Sequence, residues 1–99
     1  MLGIFSFYEN ENPGLTNEDF KPHSSNEAKM VWDLYEKGII REIFFGQEEH
    51  NAHIIMECEN KEVSQNILAD LPLVKNKLIE FELTTLVAYT GFSRLFLKS

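Results

Sequence analysis

The sequence predicts an α+β fold in which two helices cover one face of a four-stranded antiparallel sheet. Along the 99 residues, the hydrophobic patterns follow the order strand, helix, strand, strand, helix, strand. The clearest stretch is 24–45, which has the pattern of an amphipathic helix, a glycine stop and a strand. A helix that feeds directly into a strand buries its apolar face against that sheet. A chain this short makes one domain, residues 1–99.

The composition favours a folded core and argues against anionic partners. A hydrophobic fraction of 43% with eight Phe supplies a core. The net charge of −7 repels nucleic-acid phosphates and anionic lipid, so we expect neither nucleic acid nor a membrane as a partner. The lone cysteine, Cys58, cannot form an internal disulfide, and the first residues lack the basic region of a signal peptide. A cytoplasmic location is therefore expected.

The first strand is expected at residues 2–8, where largely apolar side chains point to both faces of the sheet. A polar loop over residues 9–14 follows and ends in Pro-Gly. Thr16 can then cap a short helical turn. Pro22 makes an unbroken helix over residues 16–37 doubtful, although a kinked one remains open.

The next element is an amphipathic helix with clear start and stop signals. Ser24 and Glu27 have the spacing of a capping box, which would satisfy two free amides at the helix start. Gly38 is expected to end the helix in the left-handed conformation, and a strand over residues 39–45 follows. The apolar face has the i, i+3, i+4, i+7 spacing of a helix and consists of Ala28, Val31, Trp32 and Tyr35.

The third strand, residues 51–59, has two unlike faces and follows a hairpin loop at 46–50. Alternate residues form an apolar face of Ala52, Ile54, Met56 and Cys58, and a mixed face of His53, Ile55, Glu57 and Glu59. Because the apolar face should lie against the helices, we expect Met56 and Cys58 beneath them. His53 and Glu57 should then point to the other side of the sheet.

The second half repeats the pattern of a helix followed by a strand. Asn60 is expected to cap a helix that Pro72 ends, followed by a further turn at 73–77 and a last strand at 80–89. The resulting βαββαβ order is ferredoxin-like, with both helices on one side of the sheet because crossovers are right-handed. The apolar side of the second helix is formed by Val63, Ile67, Leu68 and Leu71.

The uncovered face of the sheet carries too much Ile, Phe and Leu to face water. A second copy placed sheet against sheet would cover it, so we expect a two-fold homodimer or a higher homo-oligomer. We expect the helix-side face to be filled already by the chain's own Val31, Tyr35, Ile67 and Leu71. The apolar tail, Phe92, Leu95, Phe96 and Leu97, should therefore cross to the second copy, with Gly91 supplying the bend.

Two motifs carry a resemblance to a known family. They are Ala69-Asp70-Leu71-Pro72-Leu73 followed by Ile79-Glu80-Phe81-Glu82, and the Gly-X-X-Arg sequence at 38–41. With these, roughly residues 28–92 resemble the muconolactone isomerase-like family of dimeric α+β barrels. The resemblance implies a cofactor-free isomerase that moves a proton within a small acidic lactone, in an oligomer of barrel dimers. The second strand departs from the family, which is rich there in Trp, His and Arg, by having Ile40, Glu42, Phe44 and Phe45.

Six polar side chains are candidates for a site. His53 and Glu57 share one face of the third strand about 13 Å apart. The hairpin brings Arg41 or Glu42 beside them, and charge pairing favours Arg41 next to Glu57. A His or Glu near a bound anion can relay a proton, and an Arg can hold a carboxylate. The candidates for catalysis are His53, Glu57 and Glu42, and those for substrate binding are Arg41, Glu82 and His23.

The same residues allow other interpretations. An interior ion pair with a satisfied histidine needs no chemistry at all. The chain could be a non-catalytic module for ligand binding or assembly, or, as a third alternative, a barrel-type monooxygenase. The spacing of His and Glu is not that of a metal site, so we expect no metal. The resemblance implies that the protein works without a cofactor.

Overall fold

The computed structural model describes residues 2–96 and confirms the predicted α+β fold. Two of its four α-helices are single turns, and short 3-10 turns occupy Lys21–His23 and Gly91–Leu95. The elements are β1 (Gly3–Glu11), α1 (Asn17–Phe20), α2 (Ser24–Glu36), β2 (Ile40–Phe45), β3 (Ala52–Cys58), α3 (Lys61–Ala69), α4 (Pro72–Lys75) and β4 (Ile79–Leu86).

The four strands form one antiparallel sheet in the order β2-β3-β1-β4. This is the ferredoxin-like arrangement, with the first and third strands in the centre. The helices cover one face, where side chains of the sheet and of α3 form the core with Leu71. We call the opposite side the helix-free face. The core side chains are Phe5, Phe7, Ile40, Ala52, Ile54, Met56, Cys58, Leu68 and Leu71.

The predicted faces of β3 are confirmed. Met56 and Cys58 are buried in the core beneath the helices. His53 is exposed and Glu57 is partly buried on the helix-free face. The alternation of a strand therefore gave the right orientation, because a one-residue slip would have exposed four apolar side chains.

The predicted start of α2 needs correction. Ser24 is the first residue of the helix rather than its cap, and its Oγ donates a hydrogen bond to the Phe20 carbonyl oxygen at 3.0 Å. Glu27 does not close a capping box but accepts a hydrogen bond from the backbone N–H of Leu73. The reason is that the 3-10 turn Lys21–His23 joins α1 to α2 in one kinked path, so α2 has no free start to cap.

The lengths of β1 and β4 also differ from expectation. β1 continues to Glu11, because Glu9 and Glu11 pair with the first residues of β4, so the predicted loop at 9–14 begins too early. β4 ends at Leu86 rather than at residue 89. Leu86 pairs with Ile4 near the start of β1, and no further strand among the described residues can extend the ladder.

Three other end signals are as predicted, whereas Pro72 begins α4 and α3 already ends at Ala69. Thr16 caps α1, where its backbone N–H donates to the Asp19 carboxylate at 2.8 Å. Asn60 caps α3, and its Oδ1 accepts from the Val63 N–H at 2.9 Å. Gly38 follows α2 with a φ of 77°, the left-handed conformation that glycine adopts at little cost. Within residues 2–96, every helix is too short or too polar to cross a membrane.

The chain beyond β4 is largely exposed. We call residues 87–96 the C-terminal segment, and most of its large apolar side chains lie in water. Tyr89 and Phe92 contact each other edge to face, with ring centroids 4.8 Å apart. The predicted contact of Leu97 lies outside the described residues.

Candidate functional site

The structure divides the predicted site residues between the two faces of the sheet. On the helix-free face, Tyr8 pairs with His53 on one side and with Glu82 on the other. The rings of Tyr8 and His53 lie with centroids 4.8 Å apart. His53 and Glu82 therefore share a face but are separated by the central strand, about two strand spacings or 10 Å.

Arg41 forms an ion pair with Glu57, as the charge pattern predicted. Arg41 is the extra residue of a bulge in β2, because Ile40 pairs with Met56 and Glu42 pairs with the adjacent Ile55. The bulge turns the Arg41 side chain towards Glu57. Glu42 lies across from Ile55, on the same face of the sheet as Glu57, and it forms no ion pair with Arg41 among the described residues.

His23 lies apart from the other candidates. It ends the 3-10 turn before α2, and the charge of His23 opposes the rise in the pKa of Glu27 one turn further along. Neither residue is on the helix-free face. The sequence therefore grouped His23 with residues that the fold does not bring to it.

A cleft of about 790 Å³ lies between α2 and the sheet. This volume is in the range of small-molecule sites. The prediction that this face is already filled is therefore wrong for α2, where Tyr35 remains 47% exposed. One reason is that Ala28 and Ala52, both in the cleft wall, are too small to close the gap. The apolar wall is completed by Val31, Ile43, Ile54, Leu71, Leu73 and Phe81.

Two carboxylates enter this apolar cleft from its two walls. Glu9 projects from β1, and its Oε1 accepts a hydrogen bond from the Ala52 N–H at 2.9 Å. Glu27 projects from α2, and its Oε1 accepts from the Leu73 N–H at 3.0 Å. Backbone N–H donors thus hold both side chains in place.

Burial raises the pKa of both carboxyl groups above the usual value for glutamate. The backbone hydrogen bonds oppose this rise, and the charge of Glu9 adds to it at Glu27. At Glu9 the further contribution comes from Glu11. Carboxyl groups whose pKa is raised by burial in an apolar cleft are candidates for proton exchange with a ligand.

Sequence reasoning missed both glutamates. The loop signals after Tyr8 predict a loop at Glu9, although Glu9 continues the alternation of Phe5 and Phe7 on the helix-covered face. The spacing from Ser24 predicts a capping role for Glu27, although Glu27 lies four residues before Val31 on the buried side of α2. A carboxylate that continues an apolar face was the signal, since buried charges need a partner or a function.

Exposed aromatic side chains form the mouth of the cleft, which we call the aromatic rim: Trp32, Tyr35 and Phe45. Trp32 and Tyr35 stack with ring centroids 5.9 Å apart on α2. Trp32 is 57% exposed and Phe45, on the edge strand β2, is 67% exposed. Several large aromatic side chains that are exposed together mark a binding surface more often than single exposed apolar side chains do.

Two sequence candidates, Arg41 and Glu42, also line this cleft where it opens along β2. Arg41 is the one basic residue along the cleft among those that the structure describes, and its side chain is paired with Glu57 on the helix-free face. The edge strand therefore connects the helix-free face, where Glu57 lies, to the cleft that holds Glu9 and Glu27.

Cys58 is separate from the cleft and buried, and burial raises the pKa of its thiol. Residues 2–96 contain no cluster of three or more His, Cys, Asp or Glu side chains that is arranged to hold a metal ion.

In comparisons with known proteins, no family model matches the chain and no curated protein matches it.

Proposed function

We propose that this protein is a small cofactor-free, isomerase-like protein that binds a small organic acid or lactone in the cleft between α2 and the sheet. It would act in the cytoplasm as a homodimer. The observation that carries the proposal is the pair of half-buried carboxylates, Glu9 and Glu27, fixed by backbone hydrogen bonds in an apolar cleft of about 790 Å³.

The arrangement supports a proton shift without a cofactor. One carboxylate takes a proton from a carbon next to a carbonyl group, and the electron pair of that bond moves into the adjacent π system. The other carboxyl group, in its protonated form, delivers a proton to the far carbon as the double bond moves. No electron enters or leaves, so the substrate and product are isomers.

Arg41 is suited to holding the acidic group of such a ligand. It lies at the β2 edge of the cleft, away from the backbone N–H groups that hold the two carboxylates. An arginine binds a carboxylate through two parallel hydrogen bonds. Since Arg41 is already paired with Glu57, a bound acid would share or replace that partner.

A non-catalytic binding module is the second candidate. The hydrogen bonds of the two glutamates favour it. In each glutamate, Oε1 already accepts a hydrogen bond from a backbone N–H, and this bond joins two parts of the fold. Glu9 links β1 to the start of β3, and Glu27 links α2 to the start of α4. The carboxylates would then close the fold around a ligand rather than react with it.

Solvent-deuterium exchange separates the two candidates. Small organic acids and lactones would be tested for binding by the fluorescence of Trp32, the one tryptophan of the chain, and for deuterium uptake from D₂O by NMR. Glu9→Gln and Glu27→Gln should slow uptake at least tenfold and keep binding within threefold. Glu36→Gln, at an exposed site on the same helix, is the matched control. Binding without exchange would favour the module, and no binding across the panel would contradict both.

A further inference from the structure

The C-terminal segment exposes an apolar surface that its own chain does not cover. Val87, Tyr89, Phe92, Leu95 and Phe96 are each 63 to 88% exposed. No other element of residues 2–96 packs extensively against the 3-10 turn in this segment. The Cα radius of gyration is 16.2 Å, whereas a compact chain of this length has about 13 Å, which fits a segment that projects from the body.

Residues 1–86 and the end of the chain that follows them have net charges of opposite sign. Two of the nine basic side chains, Arg94 and Lys98, and none of the 16 acidic ones follow residue 86. Residues 1–86 therefore carry a net charge of −9, while the end of the chain is positive. A positive apolar segment is complementary to an acidic body with an apolar opening.

The aromatic rim provides such an opening. Trp32, Tyr35 and Phe45 are all exposed around a cleft that holds Glu9 and Glu27. Glu42, also exposed, lines the same mouth. Both apolar surfaces are larger than isolated exposed side chains, and each would be buried by contact with the other.

The segment starts far from the cleft of its own chain. It leaves β4 at one edge of the sheet, whereas the rim adjoins β2 at the other edge, about three strand spacings or 14 Å away. Along the strands, Glu9 is level with Phe81, and the segment begins after Leu86, about 17 Å further on. A second copy is therefore the more accessible acceptor.

We propose that the C-terminal segment of one copy docks on the aromatic rim of a second copy. Phe92 and Leu95 are three positions apart on the 3-10 turn and so share one face, and Phe96 follows directly, which gives an apolar surface that a groove can receive. Arg94, on the same turn, approaches the acidic mouth near Glu42. The partner copy thereby supplies a wall to a cleft that is open in the single chain.

The docked segment would also close the ligand site, and this consequence rests on the proposed function. Exclusion of water strengthens the electrostatic interactions inside a site. Ligand binding should then weaken on dilution as the copies separate. Docking itself needs no ligand, so the two proposals can fail independently.

Disulfide trapping tests the contact directly. Ala28→Cys places a thiol in the cleft wall on α2, and Ser93→Cys places one in the segment, while all three anchors stay intact. Mixed in equal amounts under mild oxidation, the two variants should give at least threefold more heterodimer than either homodimer. In place of Ala28→Cys, the control is Thr84→Cys, an exposed position on the helix-free face. Native Cys58 stays buried in every arm.

Each other outcome of the trapping overturns the proposal. A heterodimer yield no higher than the Thr84→Cys control means that the segment does not dock on the rim. A higher yield with Thr84→Cys means that it docks on the helix-free face. A chain with both Ala28→Cys and Ser93→Cys that forms mainly an intrachain disulfide at low concentration means that the segment reaches its own cleft.

Trp32 supplies a second readout without cross-linking. If the segment covers the rim, the emission of Trp32 should shift to longer wavelength on dilution. The variant Phe92→Ser/Leu95→Ser/Phe96→Ser should show the long-wavelength emission at every concentration. Emission that does not depend on concentration in the unmodified protein would contradict docking. Ligand binding in the triple variant without a docked segment would leave the proposed function intact.

Discussion

The carboxylates of Glu9 and Glu27 enter one cleft from opposite walls, Glu9 from the central strand β1 and Glu27 from the helix α2. The Ala52 N–H of β3 holds Glu9, and the Leu73 N–H of α4 holds Glu27. The charge of Glu9 adds to the rise in the pKa of Glu27. This relationship gives the molecule a polar centre inside an apolar opening.

The stability of the protein should depend on the charge of Glu27. Because burial raises its pKa in the folded state, the folded protein binds more protons than the unfolded chain between the two pKa values. The free energy of unfolding should therefore fall as pH rises through that window, above about the ordinary glutamate value. Glu27→Gln keeps an oxygen for the Leu73 N–H and removes the charge. We expect a flatter profile and equal or higher stability at pH 7.

Urea unfolding between pH 4 and 8 measures this effect. Glu36→Gln, on the exposed side of α2, should follow the unmodified protein across the range. A Glu27→Gln protein that loses stability at pH 7 would mean that the ionised carboxylate stabilises the fold. The carboxylate would then be a structural link and not a group poised for proton exchange.

Replacing Arg41 with alanine should weaken binding of an acidic ligand more than it weakens the fold. Arg41 is 56% exposed, and exposed ion pairs contribute only about 0–1 kcal/mol to stability. A charge-assisted hydrogen bond to a bound carboxylate contributes about 1.5–3 kcal/mol, so affinity should fall about tenfold or more. Calorimetric titration of acids that bind the unmodified protein measures it, and Lys37→Ala is the control. Unchanged affinity would remove Arg41 from the site.

Leu71→Ala should destabilise the protein by about 2–5 kcal/mol. Leu71 is fully buried between α3 and α4 and also forms part of the cleft wall. Leu95→Ala, in the exposed segment, should change the stability of the dilute protein by less than about 0.5 kcal/mol. Denaturant unfolding at low concentration compares the two. Similar losses would mean that Leu95 is buried in the isolated chain.

Deleting residues 92–99 should shift the protein from dimer towards monomer or aggregate. The deletion removes the apolar anchors Phe92, Leu95 and Phe96 and the two basic residues that follow residue 86, Arg94 and Lys98. Full burial of a large apolar side chain contributes roughly 1.5–3 kcal/mol, so the loss of several should be visible. Sedimentation velocity over a hundredfold range of concentration measures it. An unchanged, equally tight dimer would show that the segment belongs to its own subunit.

The sequence by itself determined the order of the elements and the orientation of the strands. The apolar alternation of β3 placed Met56 and Cys58 in the core, because a slip of one residue would have exposed the whole set. The sequence also predicted the helix cap at Asn60 and the left-handed conformation of Gly38, because both depend on neighbouring residues alone. The pairing of Arg41 with Glu57 followed from charge.

Only the tertiary structure decided where the cleft lies and which side chains meet in it. Glu9 and Glu27 are 18 positions apart, and their meeting depends on how far β1 extends and on how α2 crosses the sheet. No local sequence pattern encodes the length of β1 or the path of α2. β1 continues because β4 pairs with it. The gap under α2 remains because small side chains face each other across it. Long-range packing sets both. The sequence alone therefore named polar candidates that lie mostly on the helix-free face, while the fold assembled the carboxylate pair on the helix-covered face.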